Sequence, residues 1–283
     1  MDGRRHFMVN FHMFSLEHPQ KNAIFDFYSP MGPHYLGLLS IPHSGENIPA
    51  EFREYLSGDE SAYKEDVDFK VNELIDIPVL QKSGIAVLVA NVHRICVDLN
   101  RSEDNCVLFW KNNTQGKNLV VKNPSPEATK RFVEDYHRPY YEILKAALVD
   151  LEKRKGSKVS MIDLHSMPSK PTAYHMKQNP DQKTWRPDFC LSDRKGVTCD
   201  PLFINYFKDI FTILGHSATL NDPYIGGFVT EFVDRFRTNN IQIEINRSVY
   251  MDEETKALIT GKVNSLRPLL TQVLADGFAK FDS

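Results

Sequence analysis

The sequence predicts a three-layer α/β fold, in which a mainly parallel or mixed central sheet carries helices on both faces. Apolar runs of strand length recur along the chain, and segments with helical spacing or helix caps separate them. Some of these runs are almost continuously apolar, which is typical of strands buried on both faces. We therefore expect a single domain over residues 35–283, preceded by an N-terminal extension over residues 1–34 whose role the pattern does not define.

Four segments are predicted to be strands, at residues 35–41, 85–92, 159–165 and 241–245. Pro42 closes the first of them, because proline cannot continue a strand inside a sheet. The second is apolar from end to end, so a central position is expected for it. The fourth, in which isoleucines alternate with polar residues, is a further candidate for the centre of the sheet.

Four segments with helical character lie between or after these strands, at residues 66–80, 126–155, 202–214 and the last thirty residues. The longest has Ser125 as its predicted N-cap and Gly156 just beyond its end, and Pro139 is expected to kink it. Pro268 is expected to interrupt the last of them. Strands that alternate with helices in this way are typical of a mainly parallel sheet.

Composition and charge exclude several classes of partner. The 34 basic and 37 acidic residues give a net charge of -3, which provides no strong field for nucleic acid or for a membrane surface. No run approaches the roughly 20 apolar residues of a membrane helix, and the first residues lack the apolar core of a secretory signal. The four cysteines form no Cys-x-x-Cys pair and are expected to be reduced. A cytoplasmic location is therefore expected.

Polar side chains cluster at or near the carboxyl ends of the predicted strands. His43 follows the first strand, and Asn100 and Arg101 follow the second. His165 ends the third strand, and Glu244 lies late in the fourth. In open α/β sheets, ligands bind beyond these strand ends. We therefore expect the side chains to form one site.

His43 and Glu46, three residues apart in a turn after a strand, are candidate metal ligands, and His165 is the candidate third ligand. A catalytic zinc site with two histidines and one glutamate leaves a coordination position open. We therefore expect one Zn²⁺ ion on these residues. The alternative is that His43 caps a turn and Glu46 is solvated. The chain contains neither the Gly-x-Ser-x-Gly motif of a serine hydrolase nor the His-Glu-x-x-His helix of a zincin.

Three further carboxylates are candidates for roles in this site. An acidic group inside an apolar strand is unfavourable unless it is paired or functional, so Glu244 is expected to be the general base. A salt bridge from Glu244 to Arg247 is the alternative. Asp98 and Asp163 are candidates to bind the second ring nitrogen of a ligand histidine, which fixes its tautomer. Asp98 is preferred, because Asp163 shares a strand face with His165 and can instead face the cavity.

Three polar residues around the end of the second strand are candidates for substrate binding. Asn100 and Arg101 can bind a carboxylate, since a guanidinium presents a planar fork and the amide adds a donor. Arg94 can stabilise the oxyanion that forms when water attacks a carbonyl group. The alternative is that these arginines are solvated charges.

Several short sequence motifs, separated along the chain and in a fixed order between residues 42 and 253, carry a resemblance to a known family. The motifs are Pro42-His43-Ser44-Gly45, Val97-Asp98-Leu99-Asn100-Arg101, Asp163-Leu164-His165-Ser166, Asp188-Phe189-Cys190-Leu191, Leu220-Asn221-Asp222-Pro223-Tyr224, and Gln242-Ile243-Glu244-Ile245-Asn246-Arg247 with Tyr250-Met251-Asp252-Glu253. With these motifs the chain resembles the N-formylglutamate amidohydrolase family. That family is similar in turn to zinc carboxypeptidases and aspartoacylase, so the resemblance implies a zinc carboxypeptidase-like fold.

The resemblance also implies a metal site and a base. It implies zinc on His43, Glu46 and His165, and it implies Glu244 as the catalytic base. It supports Asp98 as the partner of His43. The implied reaction is the hydrolysis of a small N-acyl amino acid, with N-formyl-L-glutamate as the first choice of substrate and formate and L-glutamate as products.

The same resemblance implies that Asn100 and Arg101 bind a substrate carboxylate. The side-chain carboxylate of the substrate would need another cation, for which Arg186, Arg194 and Arg247 are the candidates. Two alternatives stay open: a metallo-carboxypeptidase or amidase that acts on peptides or cell-wall fragments, and a non-catalytic protein that binds a carboxylate ligand. The sequence does not define the oligomeric state.

Overall fold

The computed structural model describes residues 20–32, 34–156 and 158–282. Residues 1–19, which make up most of the predicted N-terminal extension, lie outside the described residues. Within the described ranges, an eight-stranded mixed sheet forms the middle layer, in the order β1-β2-β4-β3-β5-β8-β6-β7. Its strands are β1 (Gln20–Lys21), β2 (Phe25–Tyr28), β3 (Gly37–Ile41), β4 (Ile85–Ala90), β5 (Ser160–Met167), β6 (Phe189–Ser192), β7 (Ala218–Leu220) and β8 (Asn239–Asn246).

The four predicted strands form the parallel centre of the sheet. They correspond to β4, β3, β5 and β8, which are adjacent in this order and pair in parallel. β3, β4 and β5 are buried along their whole length. The mainly apolar sequences of β3 and β4 indicate this burial, whereas β5 also buries polar side chains such as Asp163 and His165. Their carboxyl ends therefore meet at one edge of the sheet, which is where the candidate site residues follow in the chain.

Antiparallel strands flank this centre on both sides. β2 pairs with β4, with Phe25 opposite Ala90, and β6 pairs with β8, with Cys190 opposite Glu244. The sheet thus begins at residue 20, inside the segment that the sequence set apart as an extension. A second, two-stranded sheet joins β9 (Met251–Asp252) to β10 (Ala257–Leu258).

Helices cover both faces of the sheet, which confirms the three-layer α/β prediction. In the described part of the chain they are α1 (Glu60–Tyr63), α2 (Ile77–Lys82), α3 (Pro126–Phe132), α4 (Arg138–Lys155), α5 (Ala173–Gln178), α6 (Pro201–Ile213), α7 (Phe228–Asp234) and α8 (Thr260–Lys280). α3, α4 and α7 pack against one face and α2, α6 and α8 against the other. Neighbouring strand residues face opposite cores, as Leu38 and Leu39 do.

The predicted long helix contains a π-helical turn. Ser125 accepts a hydrogen bond from the N–H of Ala128, as expected of an N-cap, and Gly156 ends the helix with a φ of 70°. Between α3 and α4, residues Val133–His137 form a π-helical turn, directly before Pro139, where a kink was predicted. Pro139 has no N–H with which to continue the α-helical pattern, and the π turn lies directly before it.

Two helix predictions were wrong. α8 continues through Pro268 without interruption, and the burial of Leu266, Leu270 and Leu274 on the sheet stabilises it. Residues 66–80 do not form one helix. Their first part is irregular, a 3₁₀ turn follows at Val71–Leu74, and α2 begins only at residue 77.

The described residues contain no helix that combines the length and the hydropathy needed to cross a bilayer. The expected cytoplasmic location stays a prediction.

Candidate metal centre and active-site cavity

A cavity of about 570 Å³ opens at the carboxyl ends of the central strands. Its lining includes all the histidines and most of the charged residues that the sequence analysis selected. They come from the turn after β3, the loop after β4, the end of β5 and the end of β8: His43, Arg94, Asp98, Asn100, Arg101, His165, Glu244 and Arg247. The topology of the sheet therefore brings distant sequence motifs to one place.

Three buried side chains in this cavity can hold a metal ion. One ligand atom each from His43, Asp68 and His165 lies within 4.8 Å of the other two. Asp68 Oδ2 is 3.0 Å from His165 Nδ1 and 3.6 Å from His43 Nδ1. Two imidazole nitrogens and one carboxylate oxygen are a donor set that zinc accepts, with a coordination position left over.

The expected ligand Glu46 is not part of this group. Its carboxylate lies 3.0 Å from the ammonium group of Lys70, and its side chain is 41% exposed. The chain around Glu46 packs against the segment after β4, since a side-chain carbon at Gly45 would lie 2.5 Å from the backbone of Asn91 and Val92, and Asn47 donates its N–H to the carbonyl oxygen of Asn91. This close approach leads the chain along the end of β4 and away from the histidines. Asp68 occupies the place that the sequence analysis gave to Glu46.

Each histidine of the group has a carboxylate at its second ring nitrogen. His43 Nε2 is 2.7 Å from Asp98 Oδ1, and His165 Nε2 is 2.7 Å from Asp163 Oδ2. These contacts direct both Nδ1 atoms towards Asp68. Burial opposes protonation of His165, but Asp163 and Asp68 outweigh it and raise the pKa of this imidazole well above its usual range. The surroundings of the two rings are therefore negative and favour a cation.

Asp98 contacts both the candidate metal group, through His43, and the arginines that are candidates to bind the substrate. Its Oδ2 accepts a hydrogen bond from Arg94 at 2.8 Å and one from Trp110 Nε1 at 2.8 Å, and it lies 3.5 Å from Arg101 Nε. Burial opposes ionisation of Asp98, but the charges of Arg94 and His43 outweigh it and hold the pKa of this carboxyl well below its usual range. Asp98 is therefore an anion that faces both groups.

Guanidinium groups position the chain segment that contains Asp68. Arg247 donates to the carbonyl oxygens of Glu65 at 2.7 Å and Val67 at 2.9 Å, and its Nη2 lies 3.4 Å from Asp68 Oδ1. Arg94 donates to the carbonyl oxygen between them, at 3.1 Å. Three consecutive carbonyl groups thus accept hydrogen bonds from arginine side chains and not from the N–H groups four residues later, as they would in a helix. This explains why the predicted helix does not begin at residue 66.

Arg247, a predicted substrate-binding residue, is therefore engaged by the protein. It is buried, and its Nε also donates to Ser166 at 3.2 Å. We expect Arg247→Met to lower the free energy of unfolding by about 3 kcal/mol, because it leaves buried carbonyl groups without donors and a buried carboxylate without its cation. Urea denaturation measures this loss.

Arg267→Met is the matched control, since Arg267 donates to a single carbonyl group, that of Glu73. We expect it to lower the free energy of unfolding by about 1 kcal/mol or less. Equal losses in the two variants would contradict the positioning role of Arg247.

Glu244 lies beside His165, opposite it in the parallel register of β5 and β8. It is only 7% exposed, and burial raises the pKa of its carboxyl to about 7. Its Oε1 accepts a hydrogen bond from Gln242 Nε2 at 2.8 Å, and Gln242 Oε1 in turn accepts one from the N–H of Gly227 at 2.9 Å. The backbone thus fixes the orientation of Gln242, and Gln242 fixes that of Glu244.

Asn100 and Arg101 line the cavity in different ways. Asn100 Oδ1 accepts a hydrogen bond from the N–H of Val229 at 2.9 Å, so this amide already holds the start of α7. Arg101 is half-buried and stacks on Phe109, with its Cζ 3.3 Å from the ring centre. The ring of His137, in the π-helical turn, donates to the Arg101 carbonyl oxygen at 2.8 Å. Arg101 is therefore oriented by its neighbours while its guanidinium borders the cavity.

Sequence reasoning missed two residues of this site. Asp68 had no signal of its own, because it follows no strand and lay inside a predicted helix. Gln242 had a usable signal, since it lies two residues before Glu244 and period-two geometry places both side chains on one face of the strand.

Several known proteins are similar to this chain in sequence or in fold. The model of the N-formylglutamate amidohydrolase family matches residues 37–251. Two similar proteins are named N-formylglutamate deformylase. That of Pseudomonas putida is 29% identical over 76% of this chain and 82% of its own length. That of Pseudomonas aeruginosa is 26% identical over 86% of this chain and 94% of its own length.

Solved structures show the same fold. The crystal structure of N-formylglutamate amidohydrolase from Ralstonia eutropha JMP134 aligns with a TM-score of 0.80 and 26% identity, over 92% of this chain and 99% of that one. A gene product from Agrobacterium tumefaciens aligns with a TM-score of 0.67 at 14% identity, over 93% and 97% of the two chains, and shows the fold alone. Because the family model spans most of the sequence, the chain belongs to the N-formylglutamate amidohydrolase family.

Proposed function

We propose that this protein is a zinc-dependent hydrolase of amide bonds that converts N-formyl-L-glutamate into formate and L-glutamate. The observation that carries the proposal is the buried group of His43, Asp68 and His165, with Glu244 beside it in one cavity. The names of the two Pseudomonas relatives support the choice of substrate. Family membership supports amide hydrolysis as the reaction.

A single zinc ion fits the donor set of this group. His43 and His165 each offer Nδ1, and Asp68 offers a carboxylate oxygen. Asp98 and Asp163, bound to the second nitrogens, keep both rings in the tautomer that a metal ligand needs. When bound there, zinc would polarise the formyl oxygen and lower the pKa of a water molecule. The predicted ligand Glu46 is absent from the set that we propose.

Glu244 is the proposed general base. Its carboxylate would take a proton from the attacking water and deliver it to the amide nitrogen as that nitrogen leaves. Its position opposite His165, in the same cavity, supports this role, and Gln242 fixes its orientation. The salt bridge from Glu244 to Arg247 that the sequence left open is absent among the described residues, since Arg247 pairs with Asp68.

The cations around Asp98 are proposed to bind the substrate. Arg101, oriented by Phe109, would bind the α-carboxylate, and the amide of Asn100 would add a donor. Arg94 would stabilise the oxyanion of the tetrahedral intermediate. Its Nη atoms bind Asp98 and a backbone carbonyl group, while its buried Nε has no hydrogen-bond partner among the described residues.

The experiment that tests this function measures formate release from a panel of N-formyl and N-acyl amino acids. We expect N-formyl-L-glutamate to be hydrolysed with the highest kcat/KM, and N-acetyl-L-glutamate to be much poorer. A preference for larger acyl groups or for peptides would instead favour a carboxypeptidase or amidase. Binding of N-formyl-L-glutamate without any turnover would favour a non-catalytic carboxylate-binding protein.

Removal of the metal is the second part of this test. Dialysis against a chelator is expected to lower formate release by at least about 100-fold, because the remaining residues alone cannot activate water efficiently. One equivalent of Zn²⁺ should restore it, with elemental analysis reporting the metal content. Full activity in protein that contains no metal would contradict the proposal.

A further inference from the structure

Arg186 is a buried cation of the cavity that forms no salt bridge with a carboxylate among the described residues, although its charge acts at longer range to lower the pKa of Glu244. Its side chain is 5% exposed, and it lines the cavity from the loop before β6. Its guanidinium contacts only neutral oxygen atoms, at 3.3 Å from the carbonyl of Pro168, 2.9 Å from the hydroxyl of Tyr224 and 3.4 Å from the amide of Gln182. Its Nε has no hydrogen-bond partner in the described part of the chain.

The other arginines of the cavity are paired with carboxylates. Arg94 donates a hydrogen bond to Asp98 at 2.8 Å. Arg101 lies 3.5 Å from the same carboxylate, but its Nε has no hydrogen-bond partner among the described residues, so the guanidinium of Arg101 keeps donors for a ligand. The remaining two are Arg247, which is paired with Asp68 at 3.4 Å, and Arg194, which is paired with Glu231 at 3.1 Å. A buried charge without a counter-ion destabilises the fold, and such a charge is retained where a ligand supplies the missing partner.

Arg186 carries the positive charge at this end of the cavity, because its neighbours His175 and Tyr224 are neutral at pH 7. Tyr224 is within reach of both Arg186 and His175 Nε2, which lies 3.3 Å from its hydroxyl. Burial, together with the charge of Arg186, lowers the pKa of His175 to about 4, so this imidazole is neutral at pH 7. Burial raises the pKa of Tyr224, so its hydroxyl keeps its proton and remains a donor. An anion that binds here would accept hydrogen bonds from the guanidinium group of Arg186 and from the hydroxyl group of Tyr224.

A row of aromatic contacts along the cavity connects Arg186 with Arg101. Arg101 Cζ lies 5.2 Å from the ring centre of Trp110, and Arg186 Cζ lies 5.1 Å from that of Tyr224. Between them, the successive ring pairs Trp110–Tyr174, Tyr174–His175 and His175–Tyr224 have centre distances of 5.7, 5.7 and 6.4 Å. The cavity therefore presents two separate cations, one at each end of the row.

We propose that Arg186 and Tyr224 form a second carboxylate subsite, which selects N-acyl amino acids with an acidic side chain. One carboxylate of the substrate binds at Arg101, and the side-chain carboxylate binds at Arg186. The reaction whose substrates the subsite would select rests on the proposed function. The subsite itself rests on the unpaired charge of Arg186. Of the three candidates for this cation, Arg194 and Arg247 already have carboxylate partners in the protein.

The test compares two substrates of the same shape, N-formyl-L-glutamate and its uncharged analogue N-formyl-L-glutamine. We expect the wild-type protein to prefer the acid by at least about 100-fold in kcat/KM, as is typical when a buried polar group would otherwise stay unpaired. Arg186→Met should lower this preference to below about 10-fold. Only kcat/KM for the acid should fall, and the metal content should be unchanged. Arg194→Met, which removes the same charge from the same cavity, should keep the preference.

A binding measurement separates this inference from the proposed function. Calorimetry with L-glutamate and L-glutamine, on the zinc-loaded protein, is expected to show tighter binding of glutamate in the wild type and equal binding in Arg186→Met. If neither formyl substrate releases formate, the proposed function fails, and the calorimetric preference still decides the subsite. Equal binding of the two ligands to the wild type would overturn the subsite, as would an undiminished preference in Arg186→Met.

A second variant covers the case in which Arg186→Met does not fold. Tyr224→Phe keeps the ring and removes only the hydroxyl group, so packing is retained. We expect it to lower the preference for the acid by about 5- to 10-fold, the effect of one lost hydrogen bond to a charged group. An unchanged preference in Tyr224→Phe, with Arg186→Met unfolded, would overturn the subsite.

Discussion

Replacing Asp68 by alanine is expected to remove the metal and to lower formate release by at least about 1,000-fold. Asp68 provides the carboxylate oxygen of the buried group, 3.0 Å from His165 Nδ1, and two histidines alone leave the ion with too few protein ligands. Elemental analysis of the purified protein and kcat/KM for N-formyl-L-glutamate measure the two effects.

Glu46→Ala is the matched control for this variant. Glu46 is the carboxylate that sequence spacing favours, but it forms an exposed ion pair with Lys70, and such pairs contribute only about 0–1 kcal/mol. We therefore expect metal content and activity within about twofold of the wild type. Loss of zinc from Glu46→Ala, with zinc retained in Asp68→Ala, would reverse the assignment.

Replacing Glu244 by glutamine is expected to leave the metal in place and to lower kcat by about 100- to 10,000-fold, the usual contribution of a general base. The amide has almost the same shape but cannot accept the proton of the attacking water. KM should change little, because the carboxylate of Glu244 is not one of the proposed substrate anchors. Stopped assays of formate release and elemental analysis give the two quantities.

Cys190→Ala is the control for the position of Glu244. Cys190 lies opposite Glu244 on β6 and is buried, so its truncation disturbs packing at the same point of β8. We expect kcat within a few-fold of the wild type. A Glu244→Gln variant that retains near-normal kcat would remove Glu244 from its role as base.

The centre of the fold could be predicted because each of its strands can be recognised from one short segment of the sequence. β3 and β4 are buried on both faces, so their side chains are almost all apolar, with Ser40 the one polar residue of β3, and a single segment suffices to recognise each of them. The parallel arrangement then follows from the helices between the strands, and it places the strand ends at one edge. His43 and His165 could be expected together for this reason.

The position of Asp68 could not be predicted, because it depends on contacts that are distant in sequence. Residues 66–75 have apolar side chains at helical spacing, and Val67, Val71 and Leu74 are indeed buried. The local pattern is thus real, but Arg247 binds two of the carbonyl groups that a helix would have used. Burial alone does not distinguish a helix from an irregular segment whose backbone is satisfied by side chains.

The carboxylate partners of the histidines were partly predictable. Asp98 was expected to orient His43, and the two groups lie 2.7 Å apart. For Asp163, strand periodicity gave the correct face but left open whether the side chain faces the cavity or its neighbour His165. Their 2.7 Å contact depends on side-chain rotamers, which a sequence pattern does not define.

The π-helical turn at Val133–His137 makes the spacing of this helix sensitive to insertions and deletions. Such a turn accommodates one residue more than a regular α-helical turn. Deletion of one residue within it would allow an uninterrupted α-helix, but it would also rotate one half of the helix by about 100° relative to the other. If the half that contains α4 turned, His137 would leave the carbonyl oxygen of Arg101 and Tyr140 would leave the hydroxyl of Ser40. If α3 turned, Phe132 would leave the ring of Phe52. Among relatives that keep these contacts, this stretch should therefore vary by substitution and not in length.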